Sequence, residues 1–182
     1  MFIQAEPTPN PATLKFLPGR VVMESGTANF AEAAAAKTSP LAERLFALEG
    51  VTGVYLGADF ITVSKAADLD WTRLKTVVLA AIMDHFTSGQ PITTGAAPST
   101  ESGAEEDDEV VSQIKELLET RVRPAVAQDG GDIVFHSFED GVVYLHMQGS
   151  CSCCPSSTAT LKAGIENMLR HYIPEVRAVS PV

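Results

Sequence analysis

The stretch Gly149-Ser-Cys-Ser-Cys-Cys-Pro-Ser-Ser-Thr158 holds all three cysteines of the 182-residue chain. Cys151 and Cys154 form a C-x-x-C pair, and Cys153 lies inside it. Pro155 suits the first position of a helix because it lacks the N–H that would be unsatisfied there. The pair is therefore predicted to lie at a helix N-terminus, where free N–H groups and the helix dipole favour thiolate over thiol.

The residues around this stretch predict a small α+β domain over 108–182. Apolar residues at helical spacing, from Val111 onward, indicate a helix that closes near Ala127. Two alternating segments are predicted to pair as a hairpin across the turn Glu139-Asp-Gly141. The cysteine loop and a helix from Pro155 follow, with Leu161, Ile165, Met168, Leu169 and Tyr172 on its buried stripe. A last strand over 175–179 completes the order α-β-β-α-β.

Residues 1–87 predict a second α+β domain. Ser39-Pro40 and Asp70 are typical starts of two helices, the second with an apolar face that includes Leu74, Val77 and Phe86. Strands are predicted at 13–17, 21–23, 54–56 and 60–63. The opening prolines exclude a helix before the first strand.

Residues 88–107 are rich in Gly, Pro, Ser and Thr and then run into Glu105-Glu-Asp-Asp-Glu109. This composition predicts a flexible linker whose acidic end merges into a helix start, where acidic side chains suit the dipole. The predicted fold is therefore two small α+β domains, 1–87 and 108–182, joined by an acidic flexible linker over 88–107.

Charge and hydropathy exclude several classes of function. The net charge is −10, and residues 97–182 carry −8 of it. Such a surface argues against nucleic acid, whose binding requires neutralisation of phosphates. No window approaches the roughly 18 consecutive apolar residues of a membrane span. Because no basic segment precedes an apolar run at the N-terminus, we expect a cytoplasmic protein.

Clustered cysteines in a reducing compartment indicate metal binding or redox activity. A [4Fe–4S] cluster and a structural zinc each take about four ligands. Two chains that each contribute Cys151 and Cys154 supply four, which suggests a cluster or a zinc ion bridging a symmetric dimer. A dithiol redox pair is an alternative, although the thioredoxin-like motif accompanies a βαβ pattern and here a hairpin precedes it. Burial as small apolar side chains is the third possibility.

The remaining polar residues carry weaker signals. His136 and His146 fall on the predicted hairpin, where histidine is usually a hydrogen-bonded surface or core residue. His85 and His171 fall near helix C-termini, where a cation is favoured. Asp129 and Asp132 flank glycines and are interpreted as turn formers, not as an acid–base pair. With no catalytic constellation in the sequence, we do not expect an enzyme.

Long motifs at both ends resemble the NifU-like (Nfu-type) iron–sulfur cluster scaffold and carrier proteins. In the C-terminal half they are Gln128-Asp-Gly-Gly-Asp132, the cysteine stretch up to Ser157, Thr160-Leu-Lys162 and Gly164-Ile-Glu-Asn-Met-Leu169. In the N-terminal half, Thr8-Pro-Asn-Pro11 and Leu14-Lys-Phe-Leu-Pro-Gly19 resemble the first domain of the two-domain members. The resemblance covers nearly the whole chain.

This resemblance implies a [4Fe–4S] cluster held between two subunits by Cys151 and Cys154 of each. It also implies upstream cluster assembly proteins and delivery to apo iron–sulfur proteins. The chain departs from the family pattern at Cys153, where the family usually has glycine, so Cys153 is a further candidate ligand or disulfide partner. The family implies a bacterial cytoplasmic protein, or a mitochondrial matrix protein that has already been processed.

Overall fold

Two separate hydrophobic cores form along the chain, and they divide it into the units Met1–Ser99 and Thr100–Val182. A computed structural model describes residues 2–95, 108–152 and 155–182, with the side chains of 155–157 excepted. Both units combine helices with an antiparallel or mixed sheet. The prediction of two α+β domains is confirmed, and the division between the units falls inside the predicted linker.

The N-terminal unit is built on a five-stranded antiparallel sheet in the order β1-β2-β5-β4-β3. Its strands are β1 (Gln4–Pro7), β2 (Thr13–Leu17), β3 (Ala28–Phe30), β4 (Val51–Leu56) and β5 (Ile61–Lys65). A 3₁₀ turn (Ala35–Thr38) leads into helix α1 (Pro40–Phe46), and helix α2 (Trp71–Ser88) follows β5. The fully buried core includes Phe16, Phe30, Leu41, Leu45, Leu56, Ile61, Val78 and Ile82.

Both predicted helix starts are confirmed by their caps. The Ser39 hydroxyl accepts a hydrogen bond from the backbone N–H of Ala42 at 3.1 Å. The Asp70 carboxylate accepts one from the N–H of Thr72 at 3.0 Å. Each cap satisfies an N–H group that the first turn of a helix leaves unpaired.

The predicted strand at Val21–Met23 is wrong. The backbone N–H groups of Val22 and Met23 both bond to the carbonyl of Ala58, and no strand forms there. Their side chains are nevertheless buried in the core. Val22 and Met23 are therefore buried within a loop and not paired in a sheet, while Val21 is 61% exposed.

The first part of the predicted flexible linker is held by the N-terminal unit. The Ser39 hydroxyl donates to the carbonyl of Ile92 at 2.5 Å, and the N–H of Thr94 donates to the carbonyl of Thr38 at 2.8 Å. The Ile92 side chain packs against the core. The domain therefore extends beyond residue 87, while residues 96–107 lie outside the described chain.

The C-terminal unit has the predicted order α-β-β-α-β. Its elements are α3 (Glu109–Leu117), a π-helical segment (Leu118–Val122), α4 (Arg123–Gln128), β6 (Gly131–Glu139), β7 (Val142–Gly149), α5 (Pro155–Tyr172) and β8 (Ala178–Pro181). The sheet order is β6-β7-β8, with β7 and β8 parallel. The last strand begins later than predicted, because the chain turns through 173–177 after α5 before it can pair with β7.

The hairpin between β6 and β7 turns where it was predicted. Asp140 and Gly141 have φ of 50° and 81°, values that Asp and Gly tolerate best in a two-residue turn. The register shifts between Phe135 and Ser137, which leaves His136 as the extra residue of a β-bulge.

Two residues predicted for buried helical stripes are half exposed. Val77 on α2 is 46% exposed, and Tyr172 on α5 is 47% exposed. Tyr172 lies at the last position of its helix, where its ring packs under the Arg121 guanidinium at 5.5 Å instead of entering the core. Ile165 and Leu169 carry the buried stripe of α5.

Candidate functional site

The cysteine loop joins the end of β7 to the start of α5. Gly149 closes the strand with a φ of 64°, a left-handed conformation that glycine adopts without strain. Helix α5 begins at Pro155, as the sequence predicts. The structure describes Cys151, whereas Cys153 and Cys154 lie outside the described residues. The assignment of Cys151 and Cys154 as a ligand pair therefore stays a prediction.

The loop is fixed to the turn that precedes β6. The N–H of Ser150 donates to the carbonyl of Gly130 at 3.2 Å, and its hydroxyl donates to the carbonyl of Asp129 at 2.6 Å. The hydroxyl of Thr158, on the first turns of α5, donates to the carbonyl of Cys151 at 3.1 Å. Cys151 is thus held from both sides, by the turn and by the helix.

Gly131 makes room for the Cys151 thiol. A Cβ atom at this position would lie 2.5 Å from the Cys151 sulfur and 3.1 Å from the Ser150 hydroxyl. Any larger residue would therefore push against the loop, and glycine is required by close approach. The preceding Gly130 has a φ of 75°, a left-handed conformation that glycine adopts without strain.

Asp132 is a buried structural carboxylate, and its interpretation as a turn former is wrong. It is 3% exposed and lies in β6, where two of its oxygens accept from Arg123 at 2.8 and 2.9 Å. The bond to Asp132 is the main cause that raises the pKa of Arg123, and Glu119 adds to it. This two-point pair joins α4 to β6.

The Cys151 thiol is stabilised in its neutral form. Burial raises its pKa to about 11, and the carboxylates of Asp129 and Asp132 act in the same direction, while the Ser150 hydroxyl opposes them. The predicted preference for thiolate is therefore wrong for Cys151. The physical reason is position: the residue is 7% exposed within the core, four residues before the helix begins.

The four histidines occupy different environments. His85, predicted as a helix-terminal cation, is fully buried, and burial lowers its pKa. His171 is exposed on α5, as predicted for a helix terminus. His136 and His146 lie side by side on the hairpin. Within the described chain, no three Cys, His, Asp or Glu side chains come together as a metal site.

The structure adds residues that the sequence reasoning missed. Gly131 and Ser150 lie inside the quoted motifs without a role assigned to them, and Arg123, which binds Asp132, lies in no quoted motif. The signal that points to them is the pair of glycines before Asp132, because consecutive glycines often mark a close approach of backbone or ligand. In the part of the chain that the structure describes, no helix has the length and apolarity of a membrane crossing.

Two family models match this chain in sequence order. The model described as "Scaffold protein Nfu/NifU N terminal" matches residues 3–89. The model "NifU-like domain" matches residues 114–180, which include the whole cysteine loop.

Named relatives span the full chain. The human "NFU1 iron-sulfur cluster scaffold homolog, mitochondrial" is 57% identical over 183 residues, covering 100% of this chain and 72% of the human protein. The protein of the same name from Drosophila sechellia is 55% identical over 184 residues, covering 100% of this chain and 65% of the relative. A solution NMR structure of a NifU-like protein from Saccharomyces cerevisiae aligns with 52% of this chain and 85% of its own, at 23% identity and a TM-score of 0.42.

Both models match in order, and identity to the human relative extends from end to end of this sequence. The chain therefore belongs to the Nfu/NifU family of scaffold proteins.

Proposed function

We propose that this protein carries a [4Fe–4S] cluster between two subunits, each of which contributes Cys151 and Cys154. The cluster is received from upstream assembly proteins and delivered to apo iron–sulfur proteins. The observation that carries the proposal is the placement of Cys151 in an anchored loop within the NifU-like domain, in a relative of named iron–sulfur scaffold homologues.

The chemistry of this loop suits a thiolate-ligated cluster. Iron–sulfur clusters are held by cysteine thiolates, normally four, so two C-x-x-C pairs complete the set in a homodimer. The space left by Gly131 accommodates the Cys151 sulfur, and the bonds of Ser150 hold the loop backbone in place. The residues that surround Cys151 therefore fit the ligand role.

Cargo release requires no acid–base catalysis, which agrees with a scaffold family and not with a classical enzyme. Ligand cysteines must lose their protons, so loading releases protons and depends on pH. The raised pKa of Cys151 favours the protonated, metal-free state. We infer that this weakens the binding of the cluster relative to that of an acceptor whose thiols ionise more readily.

A dithiol redox function fits the structure less well. Redox-active C-x-x-C pairs rely on a cysteine whose pKa is lowered, since the thiolate is the attacking form. Burial raises the pKa of Cys151 instead. A zinc-bridged interaction module uses the same four thiolates. The reconstitution experiment described below distinguishes it from a cluster carrier.

We place the protein in the mitochondrial matrix, or in the cytoplasm if the source is bacterial. The relatives are named as mitochondrial, which supports the first location. No membrane or nucleic acid partner is proposed. The N-terminal unit, which resembles the first domain of the two-domain members, is a candidate for contacts with acceptor proteins.

The test is anaerobic reconstitution of the full chain with iron and sulfide, followed by metal and sulfide analysis, sizing, and transfer to an apo [4Fe–4S] enzyme. We expect about one cluster per dimer, from the four-thiolate requirement. We expect Cys151→Ser and Cys154→Ser each to abolish cluster binding. Cys153→Ser is the matched control and retains it, because Cys153 lies between the two ligands and is not needed to reach four.

Two results contradict this proposal. A colourless monomer with a reversible disulfide assigns the loop to dithiol chemistry. A dimer that takes up zinc in place of iron and sulfide makes it an interaction module.

A further inference from the structure

A pair of histidines occupies the hairpin on the side away from the core. His146 on β7 is flanked by Leu145, which is fully buried, and is itself half-buried. His136 is exposed at the bulge of β6. The extra residue of a bulge changes the direction of its side chain, and here it brings the two rings together.

The spacing of the rings matches joint coordination of one ion. Their centroids are 4.9 Å apart, and their planes are inclined at 73°. Imidazole nitrogen binds zinc at about 2.0–2.1 Å, so two rings on one tetrahedral ion have centres roughly 5 Å apart. The separation of the two rings is therefore compatible with their sharing a metal.

His146 is also oriented as metal-ligating histidines are. Its Nδ1 lies 3.2 Å from the backbone oxygen of Val182. A carbonyl oxygen only accepts, so Nδ1 carries the hydrogen and Nε2 keeps a lone pair. A hydrogen bond from the other ring nitrogen to a carbonyl is the usual support of a histidine ligand. Val182 is held in turn, because its N–H donates to Leu145 at 3.0 Å.

We propose that His136 and His146 bind a divalent transition-metal ion of the zinc class. Imidazole suits Zn²⁺, Cu²⁺ and Ni²⁺, and water fills the other positions of this open site. The site is separate from the cysteine loop, because Cys151 belongs to the core and the histidines do not. It stands independently of the proposed cluster-carrier function.

The test uses the full chain with all three cysteines replaced by serine, so that the loop cannot bind the probe. Zn²⁺ is titrated by calorimetry into this parent and into versions that add His136→Gln or His146→Gln. We expect one site per chain in the parent and at least about a tenfold loss of affinity in each variant, since even supporting residues of such sites contribute that much. His171→Gln, which changes an exposed histidine on α5, is the control and binds as the parent does.

A second measurement uses the cysteine-free parent alone. On addition of Zn²⁺, the NMR ring signals of His136 and His146 shift together and those of His171 and His85 do not. Equal zinc affinity in the parent and the His136→Gln protein overturns the proposal, as does the absence of ring shifts. Either result would mean that the two rings only pack edge to face.

Discussion

An ionisable side chain in each unit is buried in its neutral form, His85 in the N-terminal unit and Cys151 in the C-terminal unit. Burial is the largest cause of both pKa shifts. The surroundings differ. Neither ring nitrogen of His85 has a well-formed hydrogen bond among the described residues, whereas the neighbours of Cys151 are bonded on both sides. In the N-terminal unit, packing buries the His85 ring. In the C-terminal unit, hydrogen bonds from Ser150 and Thr158 hold the loop that carries the reactive Cys151 thiol.

Two arginine–aspartate pairs among the described residues, one in each unit, differ in how exposed they are to solvent. Arg44 and Asp84 join α1 to α2 at the surface, where the Asp84 side chain is 72% exposed. Arg123 pairs with Asp132, whose side chain is 5% exposed. Solvated pairs contribute little to stability, but a buried carboxylate that loses its partner is costly.

The largest expected effect is that of Arg123→Gln, which leaves Asp132 buried without its cation. We expect the C-terminal unit to lose about 3–5 kcal/mol of unfolding free energy. The measurement is urea unfolding followed by far-UV circular dichroism and by tryptophan fluorescence. Trp71 is the single tryptophan and lies in the N-terminal unit, so its transition reports that unit alone.

Arg44→Gln is the matched control in the other unit. Because its pair is exposed, we expect a loss of no more than about 1 kcal/mol, seen in the Trp71 transition. If both substitutions lower the unfolding free energy by the same amount, the expected difference between the buried pair and the exposed pair is wrong. If Arg123→Gln shifts the Trp71 transition as well, the units do not unfold independently.

The second effect concerns the reactivity of the Cys151 thiol. In a protein with Cys153→Ser and Cys154→Ser, Cys151 is the only cysteine. Its pKa of about 11 keeps it protonated near neutral pH, while an unfolded cysteine ionises near pH 8.5–9. The thiolate is the reactive form, so we expect native alkylation by iodoacetamide at pH 8 to be on the order of 100-fold slower than in urea.

The pH profile separates ionisation from simple shielding. A thiol with this pKa shows a rate that rises about tenfold per pH unit through pH 9.5 without a plateau. Shielding alone slows the reaction equally at every pH. A plateau below pH 8 would mean that the helix N-terminus stabilises the thiolate, as the sequence first suggested.

Local signals predicted most of the fold. The caps at Ser39 and Asp70, the proline at the start of α5 and the turn at Asp140 each rest on residues within one turn of chain, and each was predicted in place. Where the prediction failed, the outcome depended on contacts outside the local pattern: Val22 and Met23 bond to the carbonyl of Ala58, and the chain turns through 173–177 before β8 pairs with β7.

The environments of Asp132 and Cys151 depend on tertiary contacts, which the spacing of residues in the sequence does not show. Asp132 meets Arg123 only because the turn through Gly130 brings β6 back against α4. The direction of the Cys151 pKa follows from burial, which the spacing of the cysteines does not show. The sequence pattern identifies the cysteines as candidate ligands, but it does not predict the protonation state of Cys151.

The smallest effect is the pH dependence of His85. Burial and the positive charge of Arg44 lower its pKa, against the opposing influence of Asp84 and the backbone of Gln90. The unfolded chain therefore takes up this proton first as the pH falls below about 6.5. The contribution of the neutral ring to the unfolding free energy is therefore complete above about pH 6.5. It is lost as the pH falls toward the pKa of the folded state, by no more than about 1.4 kcal/mol per pH unit.

His85→Phe removes the titrating group and keeps a ring of similar shape beside Phe86. We expect unfolding followed by Trp71 fluorescence to show a smaller loss between pH 7.5 and 5.5 than in the unmodified chain. At pH 7.5 the variant should be at least as stable, since it buries no unpaired ring nitrogens. His171→Gln, in the other unit, should keep the original pH slope. Parallel curves for His85→Phe and the unmodified chain would contradict this prediction, because they would show that the pKa of His85 is the same in the folded and unfolded states.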